Sequence, residues 1–287
     1  MILVTGGNGF IGTNLINRLV KDKEKEEIIS FDKKYYKNKD ITIFKANASK
    51  FKNFKILTKY SERAKLIIHL GAIARVHTSI KEPRKVLINN LVSTINVLDY
   101  AREFNIPVIY AGSSSRYAGA NKSPYAFSKY KGEELCKLYN QLYGLRTYVC
   151  RFYNVYGRHQ IEKGKYSTVI GVFEKQYREN KPLTIVGDGT QKRDFTHVDD
   201  IVDGIIKAKN MIMDSKYSYL EFDFGTGTNY SINQIANMFG RDYPKEYIKS
   251  RDGEYNFSLA DNAYTKNTLN WKPRRKLSNY IKNIVNP

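Results

Sequence analysis

Met1-Ile2-Leu3-Val4-Thr5-Gly6-Gly7-Asn8-Gly9-Phe10-Ile11-Gly12 runs into Asn14-Leu15-Ile16-Asn17-Arg18-Leu19-Val20, and the reading of this stretch decides the fold. The run Ile2-Leu3-Val4 is short and apolar, as a buried strand requires, while Ile11, Leu15, Ile16 and Leu19 recur at helical spacing. The glycines therefore fall at a strand-to-helix turn. Gly7, Gly9 and Gly12 satisfy G-x-G-x-x-G: one for a tight turn, one for backbone approach to a pyrophosphate, one for close packing of helix on strand. The helix N-terminus adds partial positive charge for an anion.

Downstream context strengthens this reading. A second strand pattern, Glu27-Ile28-Ile29-Ser30-Phe31, ends at Asp32, twenty positions past Gly12. That is where a dinucleotide fold needs a carboxylate for the adenosine ribose. A carboxylate repels a 2′-phosphate, so NAD is expected over NADP, with Lys33 and Lys34 softening the repulsion.

Strand-like runs recur at Ile41 to Phe44, Leu66 to Leu70, Val108 to Ala111 and Thr147 to Cys150, separated by helical patterns over Phe51 to Tyr60, Pro83 to Phe104 and Pro124 to Tyr143. The alternation predicts an α/β fold, a Rossmann-type doubly wound parallel sheet with its ligand crevice at the carboxyl ends of the strands. Past about residue 155 the pattern loosens into shorter elements. Residues 1–155 are expected to form the NAD-binding domain, with returns near 195–213 and 219–226, and 156–287 the smaller, mainly substrate-binding remainder.

Composition bounds the function. A chain of 287 residues can bury a sizeable core. The net charge of +20 admits nucleic acid, an anionic membrane surface or small anions as partners, but mixed runs such as Lys21 to Glu27 read as a solvated surface. No aromatic-basic recognition motif supports nucleic acid. Cys136 and Cys150 match no metal or redox spacing, and no metal is expected. Without a signal-peptide pattern or an apolar run of about 20 residues, the expected location is cytoplasmic, with no membrane partner.

After the Val108 strand comes Ala111-Gly112-Ser113-Ser114-Ser115-Arg116-Tyr117, then Ser123-Pro124-Tyr125-Ala126-Phe127-Ser128-Lys129. Ser123 and Pro124 read as N-cap and first helical position, so Tyr125 and Lys129 share a helix face. A lysine about 6 Å from a phenol, at an effective dielectric near 20, favours the phenolate by roughly 3 kcal/mol, or about two pKa units. That moves a tyrosine toward the range of a general base. Tyr35/Lys39 and Tyr177/Lys181 share the spacing and are expected to be solvated surface pairs. His69, His77, His159 and His197 make no ligand spacing, and His69 and His197 read as packing or hydrogen-bonding residues.

The glycine turn, His69-Leu70-Gly71-Ala72, Tyr125/Lys129, Arg151-Phe152-Tyr153-Asn154-Val155-Tyr156-Gly157 and Arg193-Asp194-Phe195-Thr196-His197-Val198-Asp199-Asp200 stand in one order along nearly the whole chain. Together they resemble the extended short-chain dehydrogenases, in particular their NAD-dependent epimerase/dehydratase branch of nucleotide-sugar enzymes. The resemblance implies a catalytic Tyr125, with Lys129 as its tuner and ribose ligand and Ser113 as the hydroxyl partner. It implies NAD contacts from Gly6, Gly9, Phe10, Ile11, Gly12, Asp32, Asn47, Ala48, Leu70, Gly71, Ala72, Asn90, Tyr125, Lys129 and Phe152. Substrate contacts are implied for Ser113, Ser114, Asn154, Arg193, Arg251, Glu254 and Ser258, the last at a size gate beside the sugar.

Three departures shape the expectation. Asn47 replaces the aspartate that commonly recognises adenine in the family. Ser114 and Ser115 stand where dehydratases carry acids, and decarboxylases carry one at the second. Only seven residues separate Tyr117 from Tyr125, so one wall of the site is expected to be open or rebuilt by another subunit. The leading expectation is a nucleotide-sugar 4-epimerase acting on a UDP-hexose or UDP-N-acetylhexosamine through a transient 4-keto sugar, as a homodimer. The alternatives are a UDP-glucuronate decarboxylase, a 4,6-dehydratase or a non-catalytic NAD sensor.

Overall fold

The apolar runs of the first half become neighbours in one sheet. In the computed structural model, which describes residues 1–286 apart from 36, 37, 165, 166, 215, 251, 252 and 254, these strands are β1 (Ile2–Thr5), β2 (Ile28–Asp32), β3 (Thr42–Lys45), β4 (Leu66–His69), β5 (Val108–Ser113) and β6 (Thr147–Phe152). A seventh strand, Tyr219–Phe224, pairs in parallel with β6. Across the sheet the order is Tyr219–Phe224, β6, β5, β4, β1, β2, β3, all parallel. The order reverses between β1 and β4, where Thr5 sits beside His69, and a crevice opens at their carboxyl ends.

Both faces of the sheet are covered, which is why its strands read as continuous apolar runs. One face packs Val4, Ile68, Ile109 and Tyr148 against the helices Phe10–Lys21 and Val198–Asp214. The other packs Leu3, Phe31, Ile67 and Val149 against Phe54, Val97 and Cys136. A separate core of Tyr156, Phe173, Ile185, Phe195, Ile235 and Ile281 marks a second lobe.

Several elements differ from their sequence patterns. The stretch read as one helix from Pro83 to Phe104 is the helix Pro83–Leu87, a π turn Ile88–Val92 and the helix Ser93–Glu103. The wider turn holds Asn90, whose side chain bonds outside the helix. Phe51–Arg63 winds as a 3₁₀ helix. Tyr177 is no solvated surface residue: its ring packs 5.6 Å from Phe239 and 4.9 Å from Tyr243. Trp271 lies not in the irregular remainder but in the core of the first lobe, fully buried, 5.0 Å from the Phe224 ring and donating its indole N–H to the Asp200 carbonyl.

Among the described residues no helix is long and apolar enough to cross a membrane, and no cluster of His, Cys, Asp or Glu could hold a metal ion.

Candidate active site

The glycine turn is shaped by contacts that exclude side chains. Gly6 turns at φ +70°, and a Cβ there would lie 2.7 Å from the Gly71 backbone. A Cβ on Gly12 would stand 2.3 Å from the Gly6 carbonyl oxygen. The helix begins at Gly9 with no side-chain cap, and its first backbone bond is donated by Thr13. The N–H groups of Phe10, Ile11 and Gly12 therefore have no intrahelical partner and suit a pyrophosphate. Gly12→Ala is expected to cost about 1–3 kcal/mol and to reduce retention of bound dinucleotide. Thermal melting and the nicotinamide content of the purified protein check both.

Beside this cradle Asp32 ends β2 with both carboxylate oxygens in use, Oδ2 accepting from Asn8 N at 3.1 Å and Oδ1 from Lys34 N at 2.9 Å. The carboxylate is thereby aimed, and each oxygen keeps a lone pair for a ribose hydroxyl. The Lys33 ammonium donates to Asn89 Oδ1. Asn47 Oδ1 accepts from the backbone N–H and hydroxyl of Ser49, at 3.0 and 2.9 Å, so its amide N–H2 is the group left for adenine. The Ala48 carbonyl accepts from Asn96.

The chemistry converges at the end of β5. Ser123 caps the long helix Pro124–Tyr143 by accepting from Ala126 N at 3.1 Å, so Tyr125 enters in the first turn and Lys129 one turn on. Ser113 Oγ accepts from Ser115 N at 3.2 Å and Ser115 Oγ at 2.9 Å, and its hydroxyl is the largest influence that lowers the Tyr125 phenol. With both lone pairs of Ser113 occupied, its own proton is the one left to donate.

Electrostatics there differ from the helix-spacing expectation. Burial raises the Tyr125 phenol, opposed first by the Ser113 hydrogen bond and then by the Arg75 guanidinium. Burial also brings the Lys129 ammonium down to about 8. Its Nζ lies 4.3 Å from the centre of the Tyr110 ring. The cation that the phenol meets in the free protein is thus Arg75, which no sequence motif singles out.

Other residues expected at the cofactor act as scaffold. Asn90 clamps the segment after β4 to the catalytic helix: Oδ1 accepts from Ile73 N at 2.8 Å, and Nδ2 donates to the Ile73 carbonyl and to Ser128 Oγ at 2.9 Å. Phe152 packs in the core beside Phe224. Leu70 N and Gly71 N bond Thr5, which sets the floor of the crevice, and Ala72 follows in the same partly exposed loop. His69 bonds the Thr5 hydroxyl at 2.6 Å, and burial lowers its pKa to about 3, so it stays neutral.

On the second lobe Arg193 lies in the strand Lys192–Asp194, its guanidinium 4.0 Å over the Tyr255 ring. Asp194 is not its ion partner, because that carboxylate accepts from Thr226, Gly227 and Ala260. Asn154 Nδ2 donates to the Asp194 carbonyl at 2.9 Å. Ser258 Oγ is buried without a hydrogen-bond partner among the described residues, as a ligand-directed hydroxyl would be. Ser114 is buried in the turn after Ser113. Arg251 and Glu254 lie outside the described residues.

Residues of this chain stand at the short loop after Tyr117: Tyr117 donates to Asp223 at 2.9 Å, and Gly253 lies close to Val76, Ile80 and the Lys122 carbonyl. Tyr255, which no motif marks, adds to the rise that burial imposes on the Tyr125 phenol.

Crossover topology, glycine cradle and a tyrosine–serine pair at one crevice match a known pattern along most of the chain: residues 2–217 fit the model of the NAD dependent epimerase/dehydratase family. The chain belongs to this family. Relatives in it include the UDP-glucuronate 4-epimerase of Thermodesulfobacterium geofontis, 32% identical over 99% of this chain and 94% of the relative. Among solved structures, the UDP-glucose 4-epimerase of Thermotoga maritima with UDP-glucose superposes at a TM-score of 0.89, with 26% identity over 99% of this chain and 97% of that one. The UDP-N-acetylglucosamine 4-epimerase of Methanobrevibacter ruminantium, in complex with UDP-N-acetylmuramic acid, is similar at 0.85, with 27% identity over 99% and 96%. NAD is the family's cofactor, and the side-chain-free cradle at Gly6, Gly9 and Gly12 with the aimed Asp32 fits it.

Proposed function

We propose that the chain is an NAD-dependent nucleotide-sugar 4-epimerase, acting on a UDP-hexose or UDP-N-acetylhexosamine. One observation carries the choice within the family: the turn after β5 is Ser113, Ser114 and Ser115, with Ser113 acting on the Tyr125 phenol and no carboxylate among the three. Eliminating water, or stabilising loss of carbon dioxide, calls for an acid at that turn, whereas epimerisation needs only a base and a hydroxyl.

In this reading Tyr125 takes the proton of the sugar 4-hydroxyl and later returns it, while Ser113 holds the same oxygen in line. When bound, NAD supplies a reversible acceptor for the C4 hydrogen. The sugar passes through a 4-keto form and turns over between the two transfers. Arg193 and Asn154 supply guanidinium and amide groups for the nucleotide diphosphate. Arg251 and Glu254 are assigned to the nucleotide by resemblance alone.

Exposed Leu138, Leu142 and Tyr143 on the long helix, with Ile95 on its neighbour, support a homodimer through these two helices. Light scattering in solution tests it. Two buried free thiols, Cys136 and Cys150, support a reducing, cytoplasmic location.

Incubation with UDP-glucose, UDP-N-acetylglucosamine and UDP-glucuronate, followed by NMR of the products, tests the activity. Inversion at C4 of at least one sugar is the expected result. A 4-keto-6-deoxy sugar or a pentose product would overturn the assignment.

A further inference from the structure

We propose that Glu133 is a positioning residue for the reaction: buried one helical turn past Lys129, its carboxylate joins the catalytic strand end to a cluster of charges that holds Tyr125 and Lys129 in their working protonation states. Its side chain is 1% exposed. Oε1 approaches Ser113 N at 3.4 Å, reaching it because Gly112 has no side chain; a Cβ there would lie 2.7 Å from Oε1. Oε2 accepts from Arg116 Nη1 at 2.5 Å and Arg151 Nε at 2.9 Å.

Arg151 extends the cluster, pairing with Glu221 and, at 3.4 Å, with Asp223. Asp223 in turn accepts from Tyr117 and Tyr153, at 2.9 and 3.0 Å. Lys129, Arg116 and Arg151 balance Glu133, Glu221 and Asp223, so the cluster is neutral only while Lys129 is charged. A buried ion is tolerated where such compensation exists.

The groups facing the pair are defined. Tyr125 meets Ser113, Arg75, Tyr255 and Glu133 and also influences Tyr110; Lys129 meets Glu133 and Cys136, with neutral His69 and the Tyr110 ring nearby. Glu133 is the anion common to both lists, and it favours the protonated form of each. Burial raises its own carboxyl, and the two guanidiniums in contact oppose that rise and favour the charged form.

Removing that charge should therefore move both groups the same way. In Glu133→Gln, isosteric but neutral, the phenol ionises about one pH unit lower, and both limbs of the kcat/KM profile shift to acid. Arg116→Gln uncovers the Glu133 charge and shifts both to alkaline by about half a unit, less because Arg116 is partly exposed. The phenol is read directly as the near-ultraviolet phenolate absorbance of each NAD-bound protein minus that of its Tyr125→Phe counterpart.

That titration needs no substrate. The proposal rests on the epimerase reading only for naming Tyr125 as base, so a sample that fails to epimerise still tests it. Opposite shifts in the two variants support it. Unshifted phenol midpoints, or shifts of the same sign, overturn it, and if Glu133→Gln does not fold, the direction in Arg116→Gln decides.

Discussion

Tyr125→Phe is expected to lower turnover by about a thousandfold or more while leaving NAD bound. The substitution removes one oxygen and keeps the partly buried ring, so the fold loses little packing. Loss of that order corresponds to about 4 kcal/mol of transition-state stabilisation. It exceeds what any single substrate contact would cost, because the neighbouring hydroxyls of Ser113 and Ser115, bonded to each other, are too weakly acidic to replace a phenol as base. Steady-state rates and the nicotinamide content of the same sample give the result. Epimerisation near the wild-type rate in this variant would end the assignment.

Lys129→Met should abolish the reaction and stabilise the fold at neutral pH. Burial holds the amine at about 8 instead of its ordinary 10.5. Between these two values the unfolded chain binds the proton and the folded chain does not, so stability rises with pH across that window. Below about 8 the full cost of carrying the charge inside is present, of order 3 kcal/mol. Methionine has no such cost, but it leaves Glu133 without its nearest turn partner, so the expected gain near pH 7 is about 1–3 kcal/mol. Urea unfolding at several pH values should show the variant ahead at pH 7 and the two curves converging toward pH 10. Parallel curves, or a less stable variant at pH 7, would contradict the account. A gain in stability on losing activity is what a site under functional selection leads one to expect.

How much of this could be read before coordinates depended on the range of the interaction. Local patterns were legible: the glycine turn, Asp32 at the end of β2, and the Ser123-Pro124 start that puts Tyr125 and Lys129 on one face each follow from backbone chemistry within a few residues. Long-range partnerships were not. Trp271 meets Phe224 and Asp200, 47 and 71 positions away, and nothing in its neighbourhood of lysine, proline and arginine signals that. Arg75 and Tyr255 meet Tyr125 only because a loop after β4 and a segment of the second lobe converge on the long helix. Asn90 was singled out through the family resemblance, as a cofactor contact, whereas its bonds to Ile73 and Ser128 depend on segments distant in the chain. Glu133 carried a usable signal, an acid four residues after the catalytic lysine on the same buried face.

The placement of Tyr219–Phe224 has a consequence for how the protein can be cut. This strand comes from beyond the second lobe's first elements, yet it covers the flank of β6 along six residues, from Tyr219 opposite Thr147 to Phe224 opposite Phe152. A recombinant fragment ending near residue 155 would expose that flank as an unsatisfied row of amides and carbonyls, and would strip the Val198–Asp214 helix from beneath Ile109 and Tyr148. Such a fragment should self-associate instead of folding, so the nucleotide-binding half is not a portable module, and the gene can be shortened or fused only outside the interleaved region.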